Sequence, residues 1–173
     1  PKAEIGDIFL YRDPDTLLSR SAFIDGLGIA VKSATVFPEN HDKGKPMING
    51  AVSLFSDQDG TLQALIDFHL VTKWKTAGDS LLASSLLARS DSKAILIVGA
   101  GTVGRSLREA YGAYFPDAKF TVWNRTREKA EVMALNDPRM KVAESLQGAV
   151  EAADIITSAT MSTEPLIKGA WLR

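Results

Sequence analysis

Apolar and polar residues alternate in short runs from Ile5 to about Asp67, which is the period of β-strands. Around Lys32 the alternation would place Ile29, Val31, Ser33, Thr35 and Phe37 on one face of a strand, and Ala30, Lys32, Ala34 and Val36 on the other. Further on, the apolar runs Ala51–Phe55 and Leu62–Ile66 flank Asp57-Gln-Asp-Gly60, and a loop that ends in Asp-Gly is typical of a β-hairpin. This first part is predicted to be mostly antiparallel.

From Thr76 the apolar spacing lengthens to that of a helix, and the stripe stops at Ser90-Asp-Ser92. Strands and helices then alternate. We predict strands at Ala94–Val98, Phe120–Trp123, around Val142 and at Ile155–Ser158, and helices at Thr102–Tyr114, Glu128–Leu135 and Leu146–Ala153. This alternation implies parallel βαβ units with right-handed crossovers, so the fold class is α/β.

Three parts are expected along the chain: a β-rich region for substrate binding or dimerisation (1–75), a connecting helix (76–91) and a Rossmann-type dinucleotide-binding domain (92–173). A complete doubly wound domain has about six strands. Only about four are predicted here, so we expect the Rossmann sheet to be incomplete, and the chain to be a piece of a longer protein truncated at its C-terminus.

Composition excludes several classes of function. The 173 residues are 45% hydrophobic and 24% charged, which is ordinary for a globular protein with a buried core. The net charge of −1 and the lack of a basic block argue against a nucleic-acid partner. The chain has no cysteine, no bilayer-length apolar run and no leader pattern, so we expect a cytoplasmic protein without a membrane partner. Its two histidines are far apart, and no metal site is predicted.

The segment Gly99-Ala100-Gly101-Thr102-Val103-Gly104 matches G-x-G-x-x-G between a buried strand and an amphipathic helix. The first glycine permits a tight turn, the second lets a diphosphate approach the backbone, and the third lets the helix pack closely on the sheet. The helix N-terminus would then present free N–H groups to the phosphates. The alternative is a purely structural glycine turn, which would not require a buried strand before it and an amphipathic helix after it.

The residues after the second Rossmann strand predict which dinucleotide is bound. An enzyme that uses NAD has an acidic residue there for the ribose 2′-hydroxyl, whereas this chain has Asn124-Arg125-Thr126-Arg127. Asn124 removes a carboxylate that would repel a 2′-phosphate, Arg125 can pair with that phosphate, and Thr126 adds a hydroxyl. We therefore expect NADP(H) in preference to NAD(H). The alternative is a solvated basic turn that opens a helix.

Five segments together resemble the ornithine cyclodeaminase/mu-crystallin family, in the right order and over nearly the whole chain. They are Ala30-Val-Lys32, Thr72-Lys-Trp-Lys75-Thr76-Ala77, Gly99–Gly104, Trp123-Asn-Arg-Thr126 and Ser158-Ala159-Thr160. The Asn-Arg-Thr element is similar to that of the members that use NADPH. The resemblance implies an enzyme that exchanges hydride with a carbon bearing nitrogen and a carboxylate.

The resemblance also implies roles for particular residues. Lys32 matches the strand lysine that meets the substrate, and Lys75 matches a position, usually arginine, that opens a helix and holds the substrate carboxylate. A lysine there loses the bidentate fork of arginine and leaves a point charge. Ser158, Ala159 and Thr160 follow the fourth strand and would line the nicotinamide pocket. The acidic catalytic residue of the family would lie beyond Arg173.

The residues themselves leave both lysines open to two interpretations. Lys32 shares a strand face with alanines and a valine, so it either reaches solvent from a sheet edge or serves a site. Lys75 would precede a helix N-terminus, where a cation is mildly unfavourable and invites a functional reason, although an exposed lysine accounts for it equally well.

Our working hypothesis is an NADPH-dependent reductase of cyclic imino acids or ketimines, for example of 1-pyrroline-2-carboxylate to proline. The substrate carboxylate would lie between Lys32 and Lys75, in a cleft between the β-rich and Rossmann halves. The alternatives are ornithine cyclodeaminase, alanine dehydrogenase and a noncatalytic NADPH-binding protein of the crystallin type. The resemblance further suggests that the β-rich region forms a homodimer.

Overall fold

The computed structural model describes residues 2–172, which divide into two compact units between Thr72 and Lys73. The nine strands in the described range are β1 (Ala3–Arg12), β2 (Asp15–Ile24), β3 (Gly28–Val36), β4 (Ile48–Phe55), β5 (Leu62–Asp67), β6 (Ala94–Val98), β7 (Lys119–Trp123), β8 (Met140–Val142) and β9 (Ile155–Ser158). The α-helices of the same range are α1 (Phe68–Leu87), α2 (Thr102–Tyr114), α3 (Arg127–Ala134) and α4 (Leu146–Glu151).

The first unit is an antiparallel sheet in which strands β1 to β5 lie side by side in chain order. Each strand pairs antiparallel with the next, so the alternation of apolar and polar residues translates directly into two faces. The predicted hairpin is the β4–β5 pair, which closes through a backbone hydrogen bond from Gly60 N to Ser56 O (3.1 Å). The expected antiparallel β-rich region is confirmed.

The second unit contains a parallel sheet with strand order β8-β7-β6-β9. From Ile95 to Val98 the residues of β6 are almost completely buried, because helices cover both faces of this strand. One core combines α2 and α3 with Ala77 of α1, and a second core on the opposite face combines Leu96 and Val98 with α4. The predicted α/β class with a Rossmann-type parallel sheet is therefore confirmed.

An aspartate aligns the neighbouring strands β6 and β9 of this sheet. The carboxylate of Asp154, just before β9, accepts hydrogen bonds from the backbone N–H groups of Lys93 and Ala94 at the start of β6 (both 2.9 Å). These backbone hydrogen bonds lower the pKa of Asp154, and Arg89 adds an ion pair at 2.9 Å. The carboxyl ends of β6 and β9 consequently finish together.

The start of the long helix differs from the prediction. We expected helix at residues 76–91, whereas α1 begins at Phe68, directly after β5, and ends at Leu87. The Asp67 carboxylate accepts a hydrogen bond from the backbone N–H of Leu70 (2.6 Å), as a helix N-cap does. The expectation that Lys75 opens a helix is therefore wrong: Lys75 follows Phe68 by seven residues and lies about two turns inside α1.

Candidate functional site

The glycine loop between β6 and α2 is built so that two of its three glycines have no room for a side chain. Gly99 has a φ of 113°, and a Cβ there would overlap the carbonyl oxygen of Ala159. A Cβ on Gly104 would overlap the carbonyl oxygen of Gly99. At Gly101, in contrast, a Cβ would meet no atom within 4 Å, so this glycine leaves open space beside the loop.

The first turn of α2 offers unpaired backbone donors to that space. Gly101 is the N-cap residue and supplies no side-chain cap, and the first turn holds no acidic residue. The intrahelical hydrogen bonds begin with Arg105 N to Gly101 O (3.1 Å), which leaves the N–H groups of Thr102, Val103 and Gly104 without an intrahelical partner. Free N–H groups at the positive end of a helix dipole suit an anion such as a diphosphate.

The side chain of Asn124 connects this loop to the turn after β7. Its Oδ1 accepts a hydrogen bond from the backbone N–H of Ala100 (3.1 Å), and its Nδ2 donates to the carbonyl oxygen of Thr126 (2.8 Å). The amide thus uses both of its functional groups within the protein. Asn124 positions the loop and the turn, a role that the sequence does not reveal.

We expect Asn124→Asp to lower the free energy of unfolding by about 1–3 kcal/mol, because a carboxylate cannot donate to the Thr126 carbonyl and would leave two acceptors face to face. Thermal and urea denaturation would measure the loss. Asn136→Asp is the matched control, since Asn136 is exposed and its side chain forms no hydrogen bond within residues 2–172. Equal stability of the two variants would show that the Asn124 amide does not hold the turn.

The other three residues of this turn, Arg125, Thr126 and Arg127, differ in whether their side chains already have partners within the protein. Arg125 and Thr126 are exposed at the surface. Arg127 is the first residue of α3, and its guanidinium forms an ion pair with Glu131 one turn later (2.9 Å) and reaches the carbonyl oxygen of Ala143 (3.4 Å). Of the two arginines, Arg125 is therefore the one whose charge is not already neutralised by a neighbouring acid of the described chain.

The segment after β9 completes the carboxyl edge of the parallel sheet. Ala159 donates its backbone N–H to the carbonyl oxygen of Val98, and Gly99 donates to that of Trp123 (both 2.8 Å). Ser158 and Thr160 are exposed, and the Thr160 hydroxyl accepts a hydrogen bond from Ser162 N (3.3 Å). The structure thus brings together the glycine loop, Asn124 and the 158–160 segment, which are far apart in the sequence.

Lys32 lies in the antiparallel unit, where its strand neighbours are Arg20 on β2 and Val52 on β4. Directly paired residues of antiparallel strands share a face, so Lys32 projects on the face of Arg20 and Val52. Its Nζ lies 5.0 Å from the centroid of the Phe68 ring, which is 4% exposed. Lys32 therefore lies next to the apolar side chains of Phe68 and Val52, in agreement with the apolar strand face that the sequence predicts.

Arg20, the neighbour of Lys32, is neutralised within the sheet. Its Nε and Nη2 donate to the two carboxylate oxygens of Asp7 (both 2.6 Å), and this hydrogen bonding lowers the pKa of Asp7 and raises that of Arg20. Because the arginine already has a carboxylate partner, its positive charge is offset locally. Lys32 stands beside this pair on the same face.

Lys75 is already engaged by an acid of its own helix. Its Nζ forms an ion pair with the carboxylate of Asp79, one turn further along α1, and both side chains are more than half exposed. A ligand carboxylate at Lys75 would have to compete with Asp79. Sequence analysis missed this pairing because it placed the start of the helix too late.

Two basic residues that sequence reasoning overlooked lie next to the glycine loop. Arg105 and Lys129 line a groove of about 430 Å³ together with Ala100, Gly101 and Thr102. The only sequence signal was a basic residue within the first turn of each of two helices, α2 and α3.

Within residues 2–172, no three His, Cys, Asp or Glu side chains converge as a metal site would require. In the same range, no helix combines the length and the apolar character needed to cross a bilayer.

Comparisons with known proteins agree with this architecture. Residues 23–173 match the model of the ornithine cyclodeaminase/mu-crystallin family. The chain is 46% identical to Delta(1)-pyrroline-2-carboxylate reductase of Paracoccus denitrificans, covering 100% of this chain and 56% of the relative. It is 34% identical to the ketimine reductase mu-crystallin of Mus musculus, with coverages of 84% and 47%.

A solved structure has a similar fold. The Delta(1)-pyrroline-2-carboxylate reductase of Thermococcus litoralis, in complex with NADH and L-proline, superposes with a TM-score of 0.88 at 28% identity, covering 99% of this chain and 56% of that one. The chain thus spans about half the length of the relatives it matches. With its family motifs in order and the corresponding fold, this chain belongs to the ornithine cyclodeaminase/mu-crystallin family.

Proposed function

We propose that the protein containing this chain is an NADPH-dependent reductase of cyclic imino acids or ketimines, with 1-pyrroline-2-carboxylate reduced to proline as the leading example. The observation that carries the proposal is the 46% identity, over all of this chain, to a Delta(1)-pyrroline-2-carboxylate reductase. The solved relative that binds NADH and L-proline supports a nicotinamide cofactor and a small amino or imino acid as ligands.

The glycine loop fits a nicotinamide dinucleotide. The open space at Gly101 and the free N–H groups of Thr102, Val103 and Gly104 would receive the diphosphate, since no side chain or acid of the first turn opposes it. Ser158, Ala159 and Thr160, at the same sheet edge, would face the nicotinamide end. When bound, the cofactor supplies the hydride, and the protein contributes orientation and electrostatics.

The preference for NADPH rests on the turn after β7. The residue directly after this strand is Asn124 rather than a carboxylate, so no charge at that position would repel a 2′-phosphate, and Arg125 has no acidic partner within the described chain. A guanidinium can form two parallel charge-assisted hydrogen bonds with a phosphate. Arg127, paired with Glu131, would add less.

Lys32 and Lys75 are the proposed substrate residues. The Lys32 ammonium, held over an apolar ring, would attract the substrate carboxylate and lie close to the reacting imine. Lys75 would interact with both the Asp79 carboxylate and the substrate carboxylate, and this competition would weaken its binding of the substrate. In this proposal Lys32 is the catalytic residue, and Lys32 and Lys75 are the substrate-binding residues.

Turnover assays with the full-length protein separate the possible reactions. Stoichiometric loss of NADPH absorbance with 1-pyrroline-2-carboxylate is the expected result. Ammonia release from ornithine with only catalytic amounts of cofactor would instead identify a cyclodeaminase. Alanine-dependent reduction of NAD(P)⁺ would identify an alanine dehydrogenase, and NADPH binding without turnover of any imine would identify a noncatalytic binding protein.

Replacing Arg125 with alanine should weaken NADPH binding about tenfold or more and leave NADH binding within about twofold, because only NADPH carries the 2′-phosphate. Titration of the full-length protein with each dinucleotide, followed by intrinsic fluorescence or calorimetry, measures both constants. Equal losses for the two cofactors would remove the case for phosphate selection by Arg125.

A homodimer is part of the proposal. Strands β1 and β2 expose an unusual number of large apolar side chains: Ile5, Ile8, Phe9, Leu10, Tyr11, Leu17 and Phe23. Exposed apolar surface of this kind marks an interaction site. Light scattering of the full-length protein would measure its mass, and a monomer at micromolar concentration would contradict the dimer. The cytoplasmic location stays a prediction.

A further inference from the structure

The groove beside the glycine loop lies where the first turns of α2 and α3 approach each other. Besides the loop residues Ala100, Gly101 and Thr102, it is lined by Arg105 and Val132, and by Glu128 and Lys129 of α3. It thus lies next to the proposed diphosphate position, and α3 begins directly after the turn that contains Arg125.

The charged residues of the groove are not paired with one another. Neither Arg105 nor Lys129 forms an ion pair or a side-chain hydrogen bond within residues 2–172, and the same is true of Glu128. Other cations of the second unit behave differently: Arg108 pairs with Asp137 (2.6 Å) and Lys73 pairs with Glu109 (2.7 Å). The groove therefore holds two cations and one carboxylate, and none of the three forms an ion pair within the described chain.

These cations also occupy unfavourable positions along their helices. Arg105 follows the start of α2 by three residues, and Lys129 follows the start of α3 by two. A positive side chain in the first turn opposes the helix dipole. The first turn of α2 has no acidic residue to offset that cost, and the first turn of α3 has Glu128. A bound anion would offset it for both residues at once.

We propose that Arg105 and Lys129 are specificity-determining residues that bind the 2′-phosphate of NADPH in this groove, together with Arg125. This inference rests on the proposed use of NADPH and adds to it two residues from two helices. The phosphate would lie between the loop, α2 and α3, with a guanidinium on the α2 side and an ammonium on the α3 side. Such a site surrounds a dianion with charge-assisted donors from separate elements.

Replacing Glu128 should change the affinity for NADPH in the opposite direction to replacing either cation. Its carboxylate lines the same groove and would repel the phosphate, so it lowers the affinity that the two cations provide. Neutralising Glu128 should therefore tighten NADPH binding, whereas neutralising either cation should weaken it. A group that only shapes the groove would not reverse sign in this way.

The test uses the full-length protein and three variants, Arg105→Met, Lys129→Gln and Glu128→Gln. The dissociation constants of NADPH, NADH, 2′-AMP and 5′-AMP are measured at low and at physiological salt. We expect each cation variant to weaken NADPH and 2′-AMP about fivefold to tenfold, and Glu128→Gln to tighten both about threefold, with NADH and 5′-AMP within about twofold. Lys119→Gln is the control, because Lys119 is exposed at the opposite, amino end of β7.

The outcomes separate this inference from the proposed function. Equal losses for NADPH and NADH would overturn it, since the cations would then act on the shared diphosphate. A protein that prefers NADPH and reduces imines, yet is unaffected by the three substitutions, would overturn the inference alone. If the substitutions act as expected but no imine is reduced, the inference stands and the proposed reaction fails.

Discussion

Lys32→Gln should lower kcat/KM for 1-pyrroline-2-carboxylate by about a hundredfold to a thousandfold, while the affinity for NADPH stays within about twofold. Glutamine retains much of the length and a hydrogen-bond donor but removes the charge. The effect should be large because Lys32 is carried by a central strand of its sheet, beside the buried ring of Phe68, rather than by a mobile loop.

The matched control for this prediction is Lys45→Gln in the same unit. Lys45 is exposed, and its side chain has no partner in the described chain. Steady-state kinetics of both variants would measure kcat/KM for 1-pyrroline-2-carboxylate, and cofactor titration would measure the affinity for NADPH. If Lys32→Gln retained more than half of the wild-type kcat/KM, or if it weakened NADPH as strongly as the substrate, Lys32 would not be the proposed substrate residue.

Gly101→Val should weaken both NADPH and NADH by about a hundredfold or more and change the free energy of unfolding only slightly. The backbone of Gly101 (φ −81°, ψ −169°) is accessible to any residue, and a Cβ there meets no protein atom within 4 Å. The Cβ of the valine would therefore overlap no protein atom, and the side chain would occupy the space in which the diphosphate is proposed to lie.

Gly104→Ala provides the contrast, because its Cβ would overlap the carbonyl oxygen of Gly99 and force the helix away from the loop. We expect it to lower the free energy of unfolding by about 1–3 kcal/mol in addition to weakening cofactor binding. Gly78→Ala is the control without overlap, since a Cβ at this helical position meets no atom within 4 Å. It should raise the free energy of unfolding by about 0.5–1 kcal/mol, because alanine favours a helix interior, and leave cofactor binding unchanged. Wild-type binding of both dinucleotides by Gly101→Val would show that the cofactor lies elsewhere.

Local patterns were sufficient to predict most of the elements and the glycine loop. The alternation around Lys32 depends only on the two-residue period of a strand, and it assigned the face that the structure shows. The strand, the glycines and the helix that form the loop are adjacent in sequence, so their geometry is also local. The ends of α2, α3 and β9 agree with the prediction to within a residue or two for the same reason.

The start of α1 shows where a local pattern misleads. Asp67 closes an apolar strand run and looks like a loop residue, yet its carboxylate caps a helix that follows at once. The first turns of α1 expose Leu70 and Trp74, so they lack the clean apolar stripe that marks the helix further on. Lys75 was therefore placed at a helix start, and its ion pair with Asp79 was not foreseen.

By itself, the sequence determined the fold class, the family and the residue types available for binding, because these depend on periodicity and on motifs within short segments. Only the tertiary structure decided which side chains become neighbours. It connected Asn124 to Ala100, brought Arg105 and Lys129 into one groove, and set Lys32 beside Arg20. The physical reason is that strand register and helix packing join residues that are distant along the chain, and each such contact depends on the whole core rather than on any local run of residues.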